Sequence, residues 1–251
     1  MEARTELVVR VDASGRSRLH HVSCEVPLLF REARTDGPTL ALSWVNGAAG
    51  PLGGDRLRLS LTVEEGAAVR IRSTGASMVY PGVSGAVSTF DIGITLAAGS
   101  TLDWWPEPTV SVRCSRHRTS MLVNAHPDAS ARLVESVVCG RHAEPAGRLA
   151  LHQRVEIGGV PVLDQELDLA DGPFSGPGAH GPGRAVLSAV TLGEAFAPTS
   201  RSIVTPEVVA AVFALDRGAM LAAATADDLR TIDALDLLAA RTKVAGAATL
   251  V

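Results

Sequence analysis

Lysine is almost absent from this chain. Of 23 basic residues only Lys243 is a lysine, and the arginines are scattered along 251 residues without a dense block. That scarcity argues against lysine-based covalent chemistry, and the scatter, with a net charge of -4, argues against the clustered basic stripe that nucleic acid requires. No nucleic-acid partner is expected. Cysteine is also scarce: Cys24, Cys114 and Cys139 are far apart and share no C-x-x-C or C-x-x-H pairing, so neither a disulfide framework nor a zinc site is signalled. They should pack as small hydrophobes. No run approaches the roughly 18 apolar residues of a membrane span, and "MEARTELVVRVDASGR" carries charges inside its apolar segment, unlike a signal peptide. The expectation is a cytoplasmic protein that meets no membrane.

Catalytic signatures are missing too. There is no G-x-S-x-G elbow, no G-x-x-x-x-G-K-[ST] phosphate loop and no H-E-x-x-H helix. Seven histidines raise the question of a metal. His20 and His21 are adjacent, so on a strand they point to opposite faces; His117, His126, His142 and His152 are isolated, and His180 lies in a Gly/Pro-rich loop. A dedicated histidine cluster is not supported.

What the chain has is alternation. Leu57, Leu59, Leu61 and Val63 alternate with Arg56, Arg58, Ser60 and Thr62, and Phe90, Ile92, Ile94 and Leu96 repeat the pattern, as do Val110, Val112 and Cys114. Period two is strand patterning, and it dominates from about residue 5 to about 200. "TVEEGAAVRI" (62–71) laid on "TLAAGSTLDW" (95–104) aligns Val63 with Leu96, Gly66 with Gly99, Val69 with Leu102 and Ile71 with Trp104; a looser third copy runs through "NAHPDASARLVESV". Repetition of strand, glycine turn and strand suggests stacked sheets or a coil-like β-structure, and ordinary sandwich hairpins fit the same pattern. "DGPFSGPGAHGPGR" (171–184) should be an irregular, mobile loop.

Past residue 200 the period changes. "TPEVVAAVFALDRG" offers Thr205 as N-cap, Pro206 at the first helical position and Gly218 as a stop, with Val208, Val212 and Leu215 on one face. This predicts a helix over 206–217. "TADDLRTIDALDLLAART" predicts a second over 226–242, capped by Thr225, with Leu229, Ile232, Leu235 and Leu238 as its apolar stripe. These faces either pack on the sheets or dock a partner, for which Val208, Val212, Leu229 and Ile232 are the candidate contacts.

Carboxylates on apolar strands carry the sharpest signal. Glu135 in "ARLVESVVCGR" and Asp164 in "VPVLDQELDL" interrupt apolar segments, and Asp55 follows a double glycine at the head of a strand. A buried carboxylate must be paired, hydrogen-bonded or metal-bound. One reading pairs Glu135 with Arg141 and gives Asp55 an Asx-type turn. The other makes these oxygens the lining of a polar passage that holds a divalent ion loosely. A thiol nucleophile, Cys139 with His142, needs a base and an oxyanion site that sequence proximity alone does not supply.

Five ordered motifs then converge: "GPLGGDRLRL" (50–59), "IRSTGASMVYPG" (71–82), "LDWWPEPTVSV" (102–112), "RLVESVVCGR" (132–141) and "GVPVLDQELDL" (159–169). Together they resemble the urease accessory protein UreD (UreH) family through most of the chain. Gly75, Met78 and Pro81 depart from it, standing where glutamine, lysine and arginine are usual. The resemblance implies a mainly β fold, a helically coiled, β-helix-like stack of sheets in one domain over 1–251, closed by two C-terminal α-helices. It implies a non-enzymatic role: assembly with UreF and UreG on the urease apoprotein and delivery of nickel. No cofactor would be tightly bound; Ni(II) would pass transiently along Asp55, Glu135 and Asp164, with Ser73, Thr74 and Tyr80 as neutral polar groups. The alternative is a pure scaffold bridging UreF and urease without touching nickel.

Overall fold

The computed structural model of the chain describes residues 1–169, 183–193 and 200–233. Its strands, in chain order, begin with β1 Glu2–Val11, β2 Ser17–Cys24, β3 Leu28–Ala33, β4 Leu40–Asn46, β5 Arg56–Val63 and β6 Ala68–Ser73. The middle of the chain supplies β7 Ser77–Val79, β8 Ser88–Leu96, β9 Thr101–Trp104, β10 Thr109–Ser111, β11 Arg116–Ala125 and β12 Ser130–Cys139. Then come β13 Arg148–Ile157, β14 Val160–Leu169, β15 Ala185–Leu192, β16 Arg201–Val204, β17 Val208–Ala214, β18 Met220–Ala226 and a short helix, α1 Leu229–Asp233. Of the Gly/Pro-rich stretch 171–184, expected from sequence to be a mobile loop, residues 171–182 lie outside the described residues.

The repeat in the sequence is a repeat in space. β5 lies parallel to β8 with Val63 opposite Leu96, and β6 lies parallel to β9 with Ala68 opposite Thr101, each pair 33 residues apart. The looser copy continues the stack, Leu96 facing Ala125 and Thr101 facing Ser130. Corner turns pile up in step: Ala67 N–H donates to the Glu64 carbonyl at 3.0 Å, Ser100 to Ala97 at 3.2 Å and Ala129 to His126 at 2.9 Å. Gly66 and Gly99 hold φ of +67° and +63°, a left-handed conformation that glycine adopts without steric cost. The result is a solenoid-like stack of β-coils.

Each coil contributes one strand to each of two facing sheets. One is 7-stranded, ordered β14-β13-β11-β8-β5-β1-β2; the other is 11-stranded, with the main path β16-β17-β18-β15-β12-β9-β6-β4-β3. Alternation sends Leu57, Leu59, Leu61, Ile92 and Ile94 inward from the first sheet to meet Ile71, Leu102, Trp104 and Leu133 of the second. Trp44 sits over Trp104 and Phe30, both at 6.2 Å between ring centres, and over Phe90 at 5.5 Å.

Residues 206–217 are not a helix. Val208–Ala214 form β17, paired antiparallel with β16 and β18, and a single 3-10 turn over Asp216–Gly218 makes the hairpin. Val208 and Val212 are four residues apart, and four is both about one helical turn and an even step along a strand, so either element puts them on one face. The β-branched valines and two paired neighbours decide for the strand. The second predicted helix exists as Leu229–Asp233, capped by Asp228 rather than Thr225: Asp228 Oδ1 accepts from Thr231 N–H at 2.9 Å, while Thr225 lies within β18. Residues 234–242 of that prediction fall outside the described residues. Among the described residues no helix is long and apolar enough to cross a membrane.

Candidate functional site

At one end of the sandwich the inward rows turn polar. On β11 the positions in phase with Met121 and Val123 are His117 and Thr119, and both are buried. His117 Nδ1 lies 2.8 Å from Ser88 Oγ on the neighbouring strand, and Nε2 lies 3.1 Å from Thr119 Oγ1. Burial pulls the imidazole down to about 4, so His117 is neutral at pH 7.

Across from it, on β12, the inward position after Ala131 and Leu133 is Glu135, 8% exposed. One carboxyl oxygen accepts from Trp104 Nε1–H at 2.8 Å. Burial pushes this carboxyl up to about 7, against the opposing pull of the indole N–H. Glu135 therefore gains or loses its proton near neutrality. It lines, with His117, Thr119 and Trp44, a cavity of about 20 Å³, room for one water molecule. Trp44 Nε1, on the same wall, is buried without a hydrogen-bond partner among the described residues.

The polarity continues away from this cavity. Glu135 is directly opposite Ser188 on β15, which puts both side chains on the inner face, Cβ atoms about 5 Å apart. Ser188 Oγ donates to Gln153 Oε1 at 2.6 Å, and Gln165 Nε2 donates to both at 2.8 Å. Gln153 is 1% exposed, and its Nε2 has no partner among the described residues. Glu135, Ser188, Gln153 and Gln165 thus form a polar seam between the sheets, ending at the edge strand β14.

The residues singled out from sequence scatter differently. Asp55 is buried at the same end as His117, since Thr89 N–H donates to the Asp55 carbonyl at 2.8 Å. Its carboxylate holds the Met1 amine and the Leu52 N–H, the latter at 2.8 Å, so it closes its own loop backward instead of making an Asx turn. The double glycine before it has two causes: Gly54 holds a φ of +93°, and Gly53 is forced by contact. A Cβ on Gly82 would meet the Gly53 carbonyl oxygen at 2.3 Å, and only two bare backbones fit where this loop zips to Tyr80. Asp164 lies on the outer face of β14, about half exposed, bonded to His152 Nε2 at 2.9 Å and to Arg154 at 2.5 Å. It does not face Glu135.

Arg141 does not pair with Glu135 either; it holds Glu144 at 2.7 Å. Ser73 Oγ accepts from Glu107 N–H at 2.8 Å and donates to the Gly75 carbonyl, and Thr74 is exposed, while the Tyr80 backbone binds Gly53 and Pro51. The departures Gly75 and Pro81 are exposed and Met78 is half-buried. Val208, Val212 and Ile232 are buried together against β15 and β18, with Leu229 packed on that cluster, while β17 turns Val209 and Phe213 outward. Burial pushes the Cys139 thiol up, away from the thiolate a nucleophile needs. Among the described residues no three His, Cys, Asp or Glu side chains group to hold a metal ion. Glu135 is thus the one flagged carboxylate that reaches the interior seam; its companions His117, Ser188, Gln153 and Gln165 carried only the parity of their strands as a signal.

The comparisons with known proteins agree with the motifs. A family model described as UreD urease accessory protein matches residues 1–250. The chain is 34% identical to a urease accessory protein UreD of Parafrankia sp. over 177 residues, 70% of this chain and 60% of that one, so it spans about three fifths of that relative. It is 33% identical to the UreD of Frankia alni, covering 91% and 89% of the two chains, and 32% identical to UreD 3 of Streptomyces griseus subsp. griseus, covering 92% and 93%.

Proposed function

The chain belongs to the UreD urease accessory protein family, and from that premise we propose that it works in the cytoplasm as a non-enzymatic scaffold and metallochaperone for urease maturation. In this reading it assembles with UreF-like and UreG-like partners on the urease apoprotein and passes Ni(II) onward as cargo. The observation that carries the reading is Glu135: a carboxyl buried between the sheets, ionising near neutrality, at the head of a seam of neutral oxygens and amides. Hydroxyl, amide and single carboxylate oxygens suit a borderline divalent ion that must leave again, whereas a cage of thiolates and imidazoles would retain it. A carboxyl near its midpoint exchanges a proton for a cation at little electrostatic cost. Asp55 and Asp164, each held by a cation, are less suited to the passage than Ser188, Gln153 and Gln165. Ser73, Thr74 and Tyr80 do not line the cavity beside Glu135 and are bonded elsewhere, so this reading gives them no part in the passage.

Glu135→Gln tests this in cells that co-express urease and its accessory proteins. The variant should co-purify with its partners, while the nickel content and activity of urease fall roughly ten- to hundredfold, the scale of losing a group that orders a metal site. Full activation by an assembled Glu135→Gln protein would remove the passage. The pure scaffold reading draws on the ion pairs that occupy Asp55 and Asp164; it requires that variants of all three carboxylates assemble and activate normally.

A further inference from the structure

The outer faces of the two sheets differ in how their charge is balanced. On the 7-stranded sheet outward arginines are interleaved with acids: Arg56 pairs with Glu2, Arg10 with Glu64, Arg118 with Glu166 and Arg154 with Asp164, while Arg4 and Arg58, which have no ion pair among the described residues, share a surface hollow with Glu6 and Asp91. On the 11-stranded sheet, β3, β6 and β12 bring Arg31, Arg70, Arg72 and Arg132 onto one outer face, and the strand between the last two carries a single acid, Asp103. Asp103 is 3% exposed, covered by the guanidiniums it serves. Arg72 and Arg132 both reach it, at 2.5 and 2.8 Å, and both lie over the Trp105 ring, at 5.7 and 4.8 Å from its centre.

The other two cations are poorly matched. Arg70 comes no closer to Asp103 than 3.9 Å and has no hydrogen bond among the described residues, although only 28% of its side chain is exposed. Among the described residues Arg31 donates only to the Phe30 carbonyl. A half-buried guanidinium with five unused donors in a fixed fork is costly unless an oxyanion meets it.

We infer that this face binds an acidic segment of a partner protein, its carboxylates on Arg31 and Arg70 and an apolar side chain beside Trp105. The spacing selects a chain over a single anion. Arg31 on β3 and Arg132 on β12 are four strands apart, about 19 Å, which an extended segment of about six residues spans. Beside Trp105 the surface is concave, with Pro106, Pro108, Leu187 and Leu229 forming an apolar side and Glu107 and Ser136 a polar one, so it takes one hydrophobic residue at the end of that segment and repels a further carboxylate there. The patch is independent of the polar seam, which lies on the other side of the same sheet.

The probe is a fluorescein-labelled hexapeptide of alternating Glu and Asp closed by leucine, followed by anisotropy with the full chain. It should bind at low salt and release at about 1 M salt, where the screening length is about 3 Å. The double variant Arg31→Gln, Arg70→Gln, with an unchanged circular dichroism spectrum, should weaken binding at least about tenfold, the usual loss for a paired interface charge. Arg56→Gln on the opposite sheet should change nothing. Binding equal to wild type in the double variant, or equal loss in Arg56→Gln, overturns the site. Displacement of the peptide by inorganic phosphate at matched charge makes it a single-anion site, and tighter binding of duplex DNA than of the peptide makes it a nucleic-acid face; either result rejects a protein segment. Should the double variant misfold, Arg31→Gln alone decides: the position is exposed, and undiminished peptide binding there rejects the proposal.

Discussion

Glu135 sets the pH behaviour of this protein. Its carboxyl titrates at about 7 in the folded state against 4.5 for the free group, so between those values the folded chain holds the proton that the unfolded chain has released. Stability contributed at this site is therefore full below pH 4.5, declines as pH rises, and levels off above about 7. His117 works in the opposite sense, because its proton is lost by pH 4 in the fold and retained to 6.5 in the unfolded chain. The two oppose each other in weak acid, and only a difference between variants isolates either. Glu135→Gln should match wild type at pH 4 and exceed it by about 3 kcal/mol at pH 8, measured by urea unfolding across that range. Trp104→Phe deletes the N–H that lowers the Glu135 value, so in that variant the decline should extend to higher pH. Glu135 was readable in the sequence as a charge inside "RLVESVV", but Trp104, 31 residues upstream, was not readable as its partner. A similar separation hid the reason for the first glycine of "GGD": Gly53 is forced by Gly82, and Gly82→Ala should lower stability by several kcal/mol in the same assay, since two backbones have to separate.

At the scale of elements, β5, β6, β8 and β9 were legible because β5 and β8 alternate cleanly and the 33-residue repeat set their register; the alternation expected over Val110, Val112 and Cys114 holds only to Ser111, where the chain turns and leaves Cys114 exposed at a φ of +62° instead of packed as a small hydrophobe. Gly66 and Gly99 mark equivalent corners, and Gly99→Ala should cost about 1 kcal/mol through its positive φ, visible as a lower urea midpoint with unchanged slope. β17 was read as a helix because its end signals are real: Thr205 Oγ1 does accept from Val208 N–H, at 3.2 Å. That cap closes a turn into a strand. The contest between the two periods over "VVAAVFA" is settled by β16 and β18 on either side, and no local pattern contains them.

At the scale of the whole molecule, both sheets share one large core in which Leu133, fully buried, belongs to the central rung. Leu133→Ala should cost about 3 kcal/mol and lower a single unfolding transition, without splitting it into coil-by-coil steps. A split transition would show that the coils unfold independently. Arginines that are scattered in sequence, at 31, 70, 72 and 132, become one cationic face because successive coils bring the same side of the sheet around again. Absence of a basic block in the sequence therefore says little about a basic surface in a coiled sheet.

By itself the sequence determined the strand-rich class, the strand-turn-strand repeat and the family, because alternation, glycine corners and ordered motifs are local and travel with the chain; that the repeat coils in parallel was decided by the pairing of β5 with β8 and β6 with β9. It also marked Glu135, alongside Asp55 and Asp164, as a carboxyl set among apolar neighbours. Only the tertiary structure decided which groups meet that carboxyl, that Asp55 and Asp164 are engaged elsewhere, that β17 is a strand, and where positive charge collects. Those outcomes depend on which segments lie side by side once two sheets close over a common core, and burial and pairing at a residue are set by neighbours that are distant in the chain.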